Sequence, residues 1–388
     1  MTYLQLTETG PGATASLTAE QARTLARSGV VEVIPGPAAG LWTVRGVGKV
    51  GVVRVGDVEV WIRPKVPVAR LLFLLGYARD PGFWRDEPVA LAVDDDLVPA
   101  LAGTLWRQMN RALAGGVLHG YRTVDDVSVV LRGRLRERDQ LAHHLGQPLP
   151  LEIRHDEFTV DIPENQILAT AAYRMLRVPG VAETDKQALR HLLSKLDAVR
   201  LLPAGSAIPP WTPTRLNARY HAALHVAELV LSATSVEAAT GEMLANGLLI
   251  DMPALFEDFL TAAVRTSMEQ RHGGAVAGQS PHKLDRAGAF TIWTDITWTR
   301  HGRVRAIIDA KYKTTTSIDD LYQMLAYCTA LRVTHGHLVY VAGAKPARHG
   351  IRHADIEIHC HVLDVEQEPA DLLAAVNQLV DAIAATAT

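Results

Sequence analysis

The run Ile307-Ile308-Asp309-Ala310-Lys311-Tyr312-Lys313 constrains this chain more than any other stretch. Two isoleucines open it, and an acid, a small residue and a lysine close it. It therefore reads as a buried β-strand with charges at its end. Asp309 and Lys311 are two apart, so they leave the same face of the strand. A carboxylate and an ammonium fixed side by side can hold a divalent metal and stabilise a phosphate-like transition state.

Three other elements are spaced to join it. Residues 290–296 form a β-rich run carrying one acid, Asp295. The turn His301-Gly302 lies between the two runs and predicts a hairpin, whose pairing brings Asp295 towards Asp309. Two carboxylates converging on one point repel unless a cation sits between them, and an oxygen-rich site suits Mg²⁺ or Mn²⁺. Downstream, Ser317 and Asp320 make a capping-box start for a helix over 319–331. That helix carries Gln323 and Tyr327 at i and i+4 on one face. Upstream, Pro253 opens a helix with Phe256, Phe259, Leu260 and Val264 at core spacing. Glu257 sits beside that stripe.

Asp295, then Asp309-Ala310-Lys311, then Gln323 to Tyr327 resembles the PD-(D/E)xK nuclease superfamily, in the branch with a Q-x-x-x-Y helix. Glu257, in Leu255-Phe256-Glu257-Asp258-Phe259, matches the acid on that fold's first helix. Thr294 stands where the superfamily's name places proline. More narrowly, the chain resembles the McrC family, the nuclease subunits of McrBC modification-dependent restriction systems. Supporting pieces are Ile62-Arg63-Pro64-Lys65 with the apolar residues 71–77, Arg132-Gly133-Arg134-Leu135, Asp156-Glu157-Phe158-Thr159 and Asn165-Gln166-Ile167-Leu168. The resemblance runs from about Arg45 onward and implies a Mg²⁺-dependent endodeoxyribonuclease, with Mn²⁺ able to substitute. In that reading Asp295, Asp309 and the Ala310 carbonyl bind the metal, and Glu257 completes its shell directly or through water. Lys311 orients or activates the attacking water, while Gln323 and Tyr327 support the strand end. The resemblance also implies a McrB-like AAA+ GTPase or ATPase partner, whose hydrolysis the N-terminal region stimulates from the motor's central pore. Cutting both strands needs two nuclease sites, so the expectation is that two copies pair in the working complex.

The fold class expected is mixed α+β, with three segments: a small β-rich N-terminal domain over 1–80, a largely helical middle region over 81–213, and a PD-(D/E)xK-type α/β nuclease core over 214–388. A chain of 388 residues is too long for one ordinary core. Hydrophobic content of 48% and charged content of 21% are those of a folded soluble protein. No stretch is apolar for long enough to span a bilayer, and the N-terminus lacks the pattern of a signal peptide. The two cysteines, Cys328 and Cys360, make no disulfide framework, which fits a reducing cytoplasm. A net charge of −3 argues against strong DNA binding by the isolated chain, because phosphate neutralisation dominates non-specific affinity. A nuclease so charged needs a local basic groove or a partner that delivers DNA. No G-x-x-x-x-G-K-[ST] motif is present, so any motor is another polypeptide.

Along the chain, Thr18 and Gln21 predict a capped helix. Glycine-punctuated β-runs follow over 30–34, 41–45, 50–55 and 58–63, and these hairpins are the candidate motor-contacting region. A helix is predicted over 66–78. Asp94-Asp95-Asp96 reads as a helix start rather than a metal site. Arg132, Arg134, Arg136 and Arg138 alternate, and in a strand they would line one face. That face suits DNA phosphates, acidic groups on a partner, or a solvated edge. Residues 203–213 are proline-rich and mark a boundary or rigid linker. His221 and His225 have zinc-binding spacing but lack a third ligand, so a structural role is expected. Residues 270–281 read as a loop or short strand. In 355–363, Ile356, Ile358, Cys360 and Val362 face one way, and His359 and His361 the other. A half-exposed strand explains this, with a metal cluster including His353 as the minor alternative. Two further functions stay open: a self-sufficient repair or restriction nuclease of the same fold, and a non-catalytic activator of a motor.

Overall fold

The computed structural model describes residues 2–86, 96–145, 147–233 and 245–387. The class is mixed α and β. The chain divides into two compact units, residues 1–100 with 234–388, and residues 101–233. These boundaries differ from the three expected segments, because the N-terminal strands share one unit with the C-terminal sheet. Asp94 and Asp95 lie outside the described residues.

The first unit begins with β1 (Thr2–Thr7), β2 (Ala13–Ser16), α1 (Ala19–Ser28), β3 (Val31–Pro35), β4 (Leu41–Gly46), β5 (Lys49–Val55) and β6 (Val58–Arg63). The Thr18–Gln21 capping box starts α1 as predicted. Two helices, α2 (Val68–Arg79) and α3 (Pro81–Asp86), follow. The glycine-punctuated runs are not free hairpins. β5 is buried along most of its length, and Leu4, Val44, Val53, Val60 and Ile62 share one apolar cluster.

The second unit opens within α4 (Leu97–Leu113) and holds β7 (Gly120–Ser128), β8 (Arg134–Leu135), α5 (Glu137–His144), β9 (Leu151–Thr159), α6 (Pro163–Met175), α7 (Glu183–Ser194) and α8 (His221–Ser232). Its three strands run in the order β7-β9-β8. The proline-rich residues 203–213 have no regular structure and lie inside this unit rather than at its edge.

The chain returns to the first unit at β10 (Ala245–Asp251), which pairs antiparallel with β5 and completes the sheet β1-β6-β5-β10. α9 (Met252–His272) follows at once, capped by the Asp251 carboxylate accepting from Ala254 N at 3.1 Å. Then come β11 (Ala275–Lys283), β12 (Thr291–Arg300), β13 (Arg303–Lys311), α10 (Ile318–Leu331), β14 (His335–Val341), β15 (Ala347–Gly350), β16 (Glu357–Leu363) and α11 (Pro369–Thr386). Residues 270–281, expected as a loop or short strand, are the end of α9 and most of the nine-residue edge strand β11. Its polar residues suit an edge with one solvated face.

The six-stranded sheet runs β11-β12-β13-β14-β16-β15. β12 and β13 form the predicted hairpin. His301 and Gly302 both have positive φ, 51° and 73°, as a tight two-residue hairpin turn of matching twist requires. β13, β14 and β16 are parallel, with α10 crossing between the first two. Ile307, Leu338, Tyr340, Ile358 and Cys360 form the floor on which Met324, Tyr327 and Cys328 of α10 pack. Both cysteines are free and buried, and burial pushes the Cys328 thiol up to about 12. Among the described residues, no helix is long and apolar enough to cross a membrane.

The contact between α10 and β14 depends on Gly336. A Cβ there would lie 2.5 Å from Met324 side-chain atoms and 2.7 Å from Cys328 Sγ. Overpacking of this kind costs about 1–3 kcal/mol. Gly336→Val is expected to lower the thermal midpoint by several degrees while leaving the mixed circular-dichroism spectrum in place. An unchanged midpoint would show that α10 shifts freely on the sheet.

Candidate active site

The hydrogen-bond ladder between β12 and β13 ends at Ile296 opposite Ile308. Beyond that point the strands part, and Asp295 faces the end of β13. One Asp295 oxygen, Oδ2, accepts from the Ala310 N–H at 3.0 Å. In an extended strand a residue's N–H and C=O point to the same edge. The Ala310 carbonyl therefore also faces the gap that Asp295 occupies.

Asp309 is fully buried at the floor of this gap. The Lys311 ammonium meets its Oδ2 as an ion pair, and the Asp295 carboxyl lies against it. Burial pushes Asp309 up to about 7, and Asp295 repels its charge further while Lys311 opposes the shift. Burial also raises Asp295, against the Ala310 bond and the Lys311 charge. Glu257, on the second turn of α9, is raised by burial and then by Asp295. Three acids drawn from α9, β12 and β13 thus converge on one ammonium.

That ammonium is held from the far side. Lys311 Nζ donates to Gln323 Oε1 at 2.9 Å, and Gln323 Nε2 donates to Tyr327 Oη at 2.7 Å. Tyr327 Oη in turn donates to the Trp293 carbonyl on β12 at 2.5 Å. The relay ties α10 to both strands of the hairpin and fixes where the lysine ends. The capping box predicted at Ser317 and Asp320 is formed, so the start of this helix is fixed as well. Asp320 also takes Lys313 Nζ at 2.8 Å and Tyr340 Oη at 2.8 Å. Lys313 therefore serves the helix cap and not the acidic gap.

The sequence reading missed Gln279. Its amide donates to Glu257 Oε1. Gln279 lies between Gly278 and Ser280, which stand opposite Ile296 and Thr294 of β12, and has φ 45°, a left-handed conformation unusual for a non-glycine residue in a strand. The segment reads from its sequence as a loop or short strand, and a glutamine there does not announce a left-handed backbone.

A family model described as McrBC 5-methylcytosine restriction system component matches residues 44–341. The chain belongs to that family. The kinship inferred from Asp309-Ala310-Lys311 and its companions is borne out. No curated protein matches this McrBC component. Among solved structures it is similar to a chain of the refined half-complex from the tetradecameric assembly of Thermococcus gammatolerans McrB AAA+ hexamers with bound McrC. That similarity has a TM-score of 0.58 and 16% identity, over 98% of this chain and 100% of that one. At such identity the likeness concerns the fold. The cryo-EM structure of the Thermococcus gammatolerans McrBC complex aligns with a TM-score of 0.39 and 17% identity, over 69% of this chain and 88% of that one.

The other expected groups lie elsewhere. Arg132, Arg134, Arg136 and Arg138 do not line one strand. β8 spans two residues, Arg136 precedes α5, and Arg138 lies on that helix. Arg136 pairs with Asp139 at 2.5 Å, Glu152 at 3.3 Å and Asp125 at 3.4 Å, so it holds the small sheet together. Acids spaced to bind Arg136 in this way override the alternation. Arg132 and Arg134 are exposed. His221 bonds Asn217 Oδ1 at 2.7 Å, and both His221 and His225 pack on Trp211, the structural role expected. His353 does not join His359. It sits at a turn with φ 63°, whereas His359 meets His335 and Glu357.

The raised pKa of Asp309 has a signed consequence. Its folded value of about 7 lies above the ordinary 3.8, so the folded protein holds a proton that the unfolded chain releases. That contribution is present below about pH 4 and is lost as pH rises to about 7. In chelator, stability is expected to fall over this window. Asp309→Asn should flatten the slope and raise the thermal midpoint above pH 7. Thermal melts against pH test this, and an identical slope in the variant would refute the assignment.

Proposed function

We propose that this McrBC-family chain is the DNA-cutting subunit of a modification-dependent restriction system, a Mg²⁺-dependent endodeoxyribonuclease with a PD-(D/E)xK-type core. The observation that carries this reading is Asp309, fully buried beside Asp295, with its Oδ2 ion-paired to the Lys311 ammonium. Oxygen atoms so placed fit a hard divalent cation. Asp295, Asp309 and the Ala310 carbonyl would hold Mg²⁺, or Mn²⁺ in its place, with Glu257 completing the shell directly or through water. When bound, the ion would lower the pKa of a water and offset charge on the scissile phosphate. Lys311, steadied by Gln323 and Tyr327, orients the attacking water and offsets charge that grows on the phosphate oxygens. Gln279 keeps Glu257 aimed into the gap.

The Thermococcus gammatolerans structure pairs McrC with McrB AAA+ hexamers. We take such a motor, a GTPase or ATPase, as the partner of this chain, with DNA delivered by translocation and hydrolysis stimulated in return. The net charge of −3 favours delivery over unaided DNA capture. Two copies in one assembly would cut both strands.

The test is plasmid cleavage with Mg²⁺, with and without the AAA+ protein and nucleotide. Cleavage is expected only with all components. Asp309→Ala or Lys311→Ala should lower it by about a hundredfold or more, with co-elution of the motor unchanged. Full cutting by either variant would remove the site assignment. Cutting without the motor would favour a self-sufficient nuclease. Stimulated hydrolysis without any cutting would favour an activator.

A further inference from the structure

Four histidines lie on one face of β14 and β16. The parallel register sets His335 opposite Glu357, His337 opposite His359, and Val339 opposite His361. Residues opposite one another in a parallel pair share a face, so the four rings and the Glu357 carboxylate project together. It is not the face on which α10 packs, since Leu338, Tyr340, Ile358 and Cys360 occupy that one. Thr386, at the end of α11, reaches the histidine side, with Oγ1 3.3 Å from His337 Nε2.

Three of these groups converge. His335 Nδ1 is 3.2 Å from His359 Nε2, His359 Nε2 is 3.1 Å from Glu357 Oε2, and His335 Nδ1 is 3.8 Å from Glu357 Oε2. All three ligand atoms lie within 4.8 Å of one another. A tetrahedral ion with ligands at about 2.0–2.1 Å keeps them about 3.3 Å apart. The triangle is close to one face of that tetrahedron. Hydrogen bonds serve it poorly. His359 Nε2 has one position for a proton, at best shared between Glu357 and His335. A cation at the centre meets all three lone pairs.

We propose that His335, Glu357 and His359 form a second cation site, of the zinc class and separate from the acidic gap. Two imidazoles and one carboxylate suit Zn²⁺ or Co²⁺ rather than Mg²⁺, which takes oxygen ligands. His359 is almost wholly buried, while Glu357 and His335 are partly open, with side-chain exposures of 39% and 31%. The fourth position thus opens to water. Its neighbours are polar. His337 Nδ1 and His361 Nε2 lie 3.1 Å apart behind it, and Arg348 on β15 stands opposite His359 in the antiparallel register. The ion would clamp β14 to β16 across a separation of 24 residues. β14 is also the strand that pairs with Asp309 and Lys311 through Leu338 and Tyr340, so the clamp stiffens the sheet behind the acidic gap.

The test uses the full chain, stripped with chelator, in an Asp309→Asn background that disables the acidic gap. Co²⁺ and Zn²⁺ are titrated by calorimetry, with visible absorption for Co²⁺ geometry and thermal melts for stability. One equivalent, a tetrahedral Co²⁺ spectrum and a raised midpoint are expected. His335→Ala and Glu357→Gln, at partly exposed positions, should each weaken binding by about tenfold or more and leave the metal-free midpoint in place. Absence of Co²⁺ binding in the Asp309→Asn chain, or unchanged binding in both further variants, would overturn the site. Neither result bears on DNA cleavage, so this proposal and the nuclease reading fail separately.

Discussion

Asp295 and Asp309, where both are ionised, repel one another across the point where β12 and β13 part. Burial strengthens that repulsion, because little water is present to screen it. The two acids are held together by groups whose own places are fixed by packing. Ile307 and Ile308 anchor β13 in the sheet, and the Ala310 N–H takes one oxygen of Asp295. One ammonium faces the pair and is steadied from α10. The arrangement is locally unfavourable and is carried by the apolar floor beneath it.

The first unit is assembled from both ends of the chain for a reason visible at this gap. β10 pairs with β5 and passes directly into α9, and the Met252 N–H donates to the Gly48 carbonyl at 2.9 Å. The N-terminal sheet therefore sets where the helix carrying Glu257 begins. At the exit of β13, Tyr312 Oη donates to Glu8 Oε1 at 2.9 Å. Glu8 is buried, and burial raises its carboxyl. Glu257 and the end of β13 are thus each tied to residues of the first 65 positions. A reading that treats the N-terminal strands as a separate module overlooks this dependence.

Much of the gap was legible because local signals and chemistry agreed. The Ser317–Asp320 box, the His301-Gly302 turn and the apolar stripe on α9 each specify an element through short-range physics, and each element is present. Asp295 could be placed beside Asp309 because a tight hairpin fixes register. The failures lie where pairing is non-local or irregular. β10 joins a strand about 200 positions earlier, which no pattern in either run announces. Gln279 depends on a left-handed residue within β11, and the arginine alternation was overridden by Asp125, Asp139 and Glu152 gathering Arg136. The histidine grouping was half seen. Alternation placed His359 and His361 on one face, but His335 enters from the neighbouring strand, whereas the sequence-near His353 does not.

On the proposed nuclease reading, charge also limits how DNA would reach the acidic gap. Lys311 faces Asp309, and Lys313 is taken by Asp320, so the two lysines nearest the gap are already matched by carboxylates. On that reading, Glu257, Asp295 and Asp309 would offer a phosphate no attraction before a divalent ion is bound. A phosphate backbone then meets a site that is attractive only over a short range, while the chain as a whole remains at −3. A chain of that net charge would gain little DNA by long-range steering. On the proposed reading, a motor that holds and feeds the duplex replaces that missing attraction, and restraint follows from the same electrostatics, because DNA that is not being driven has little reason to enter.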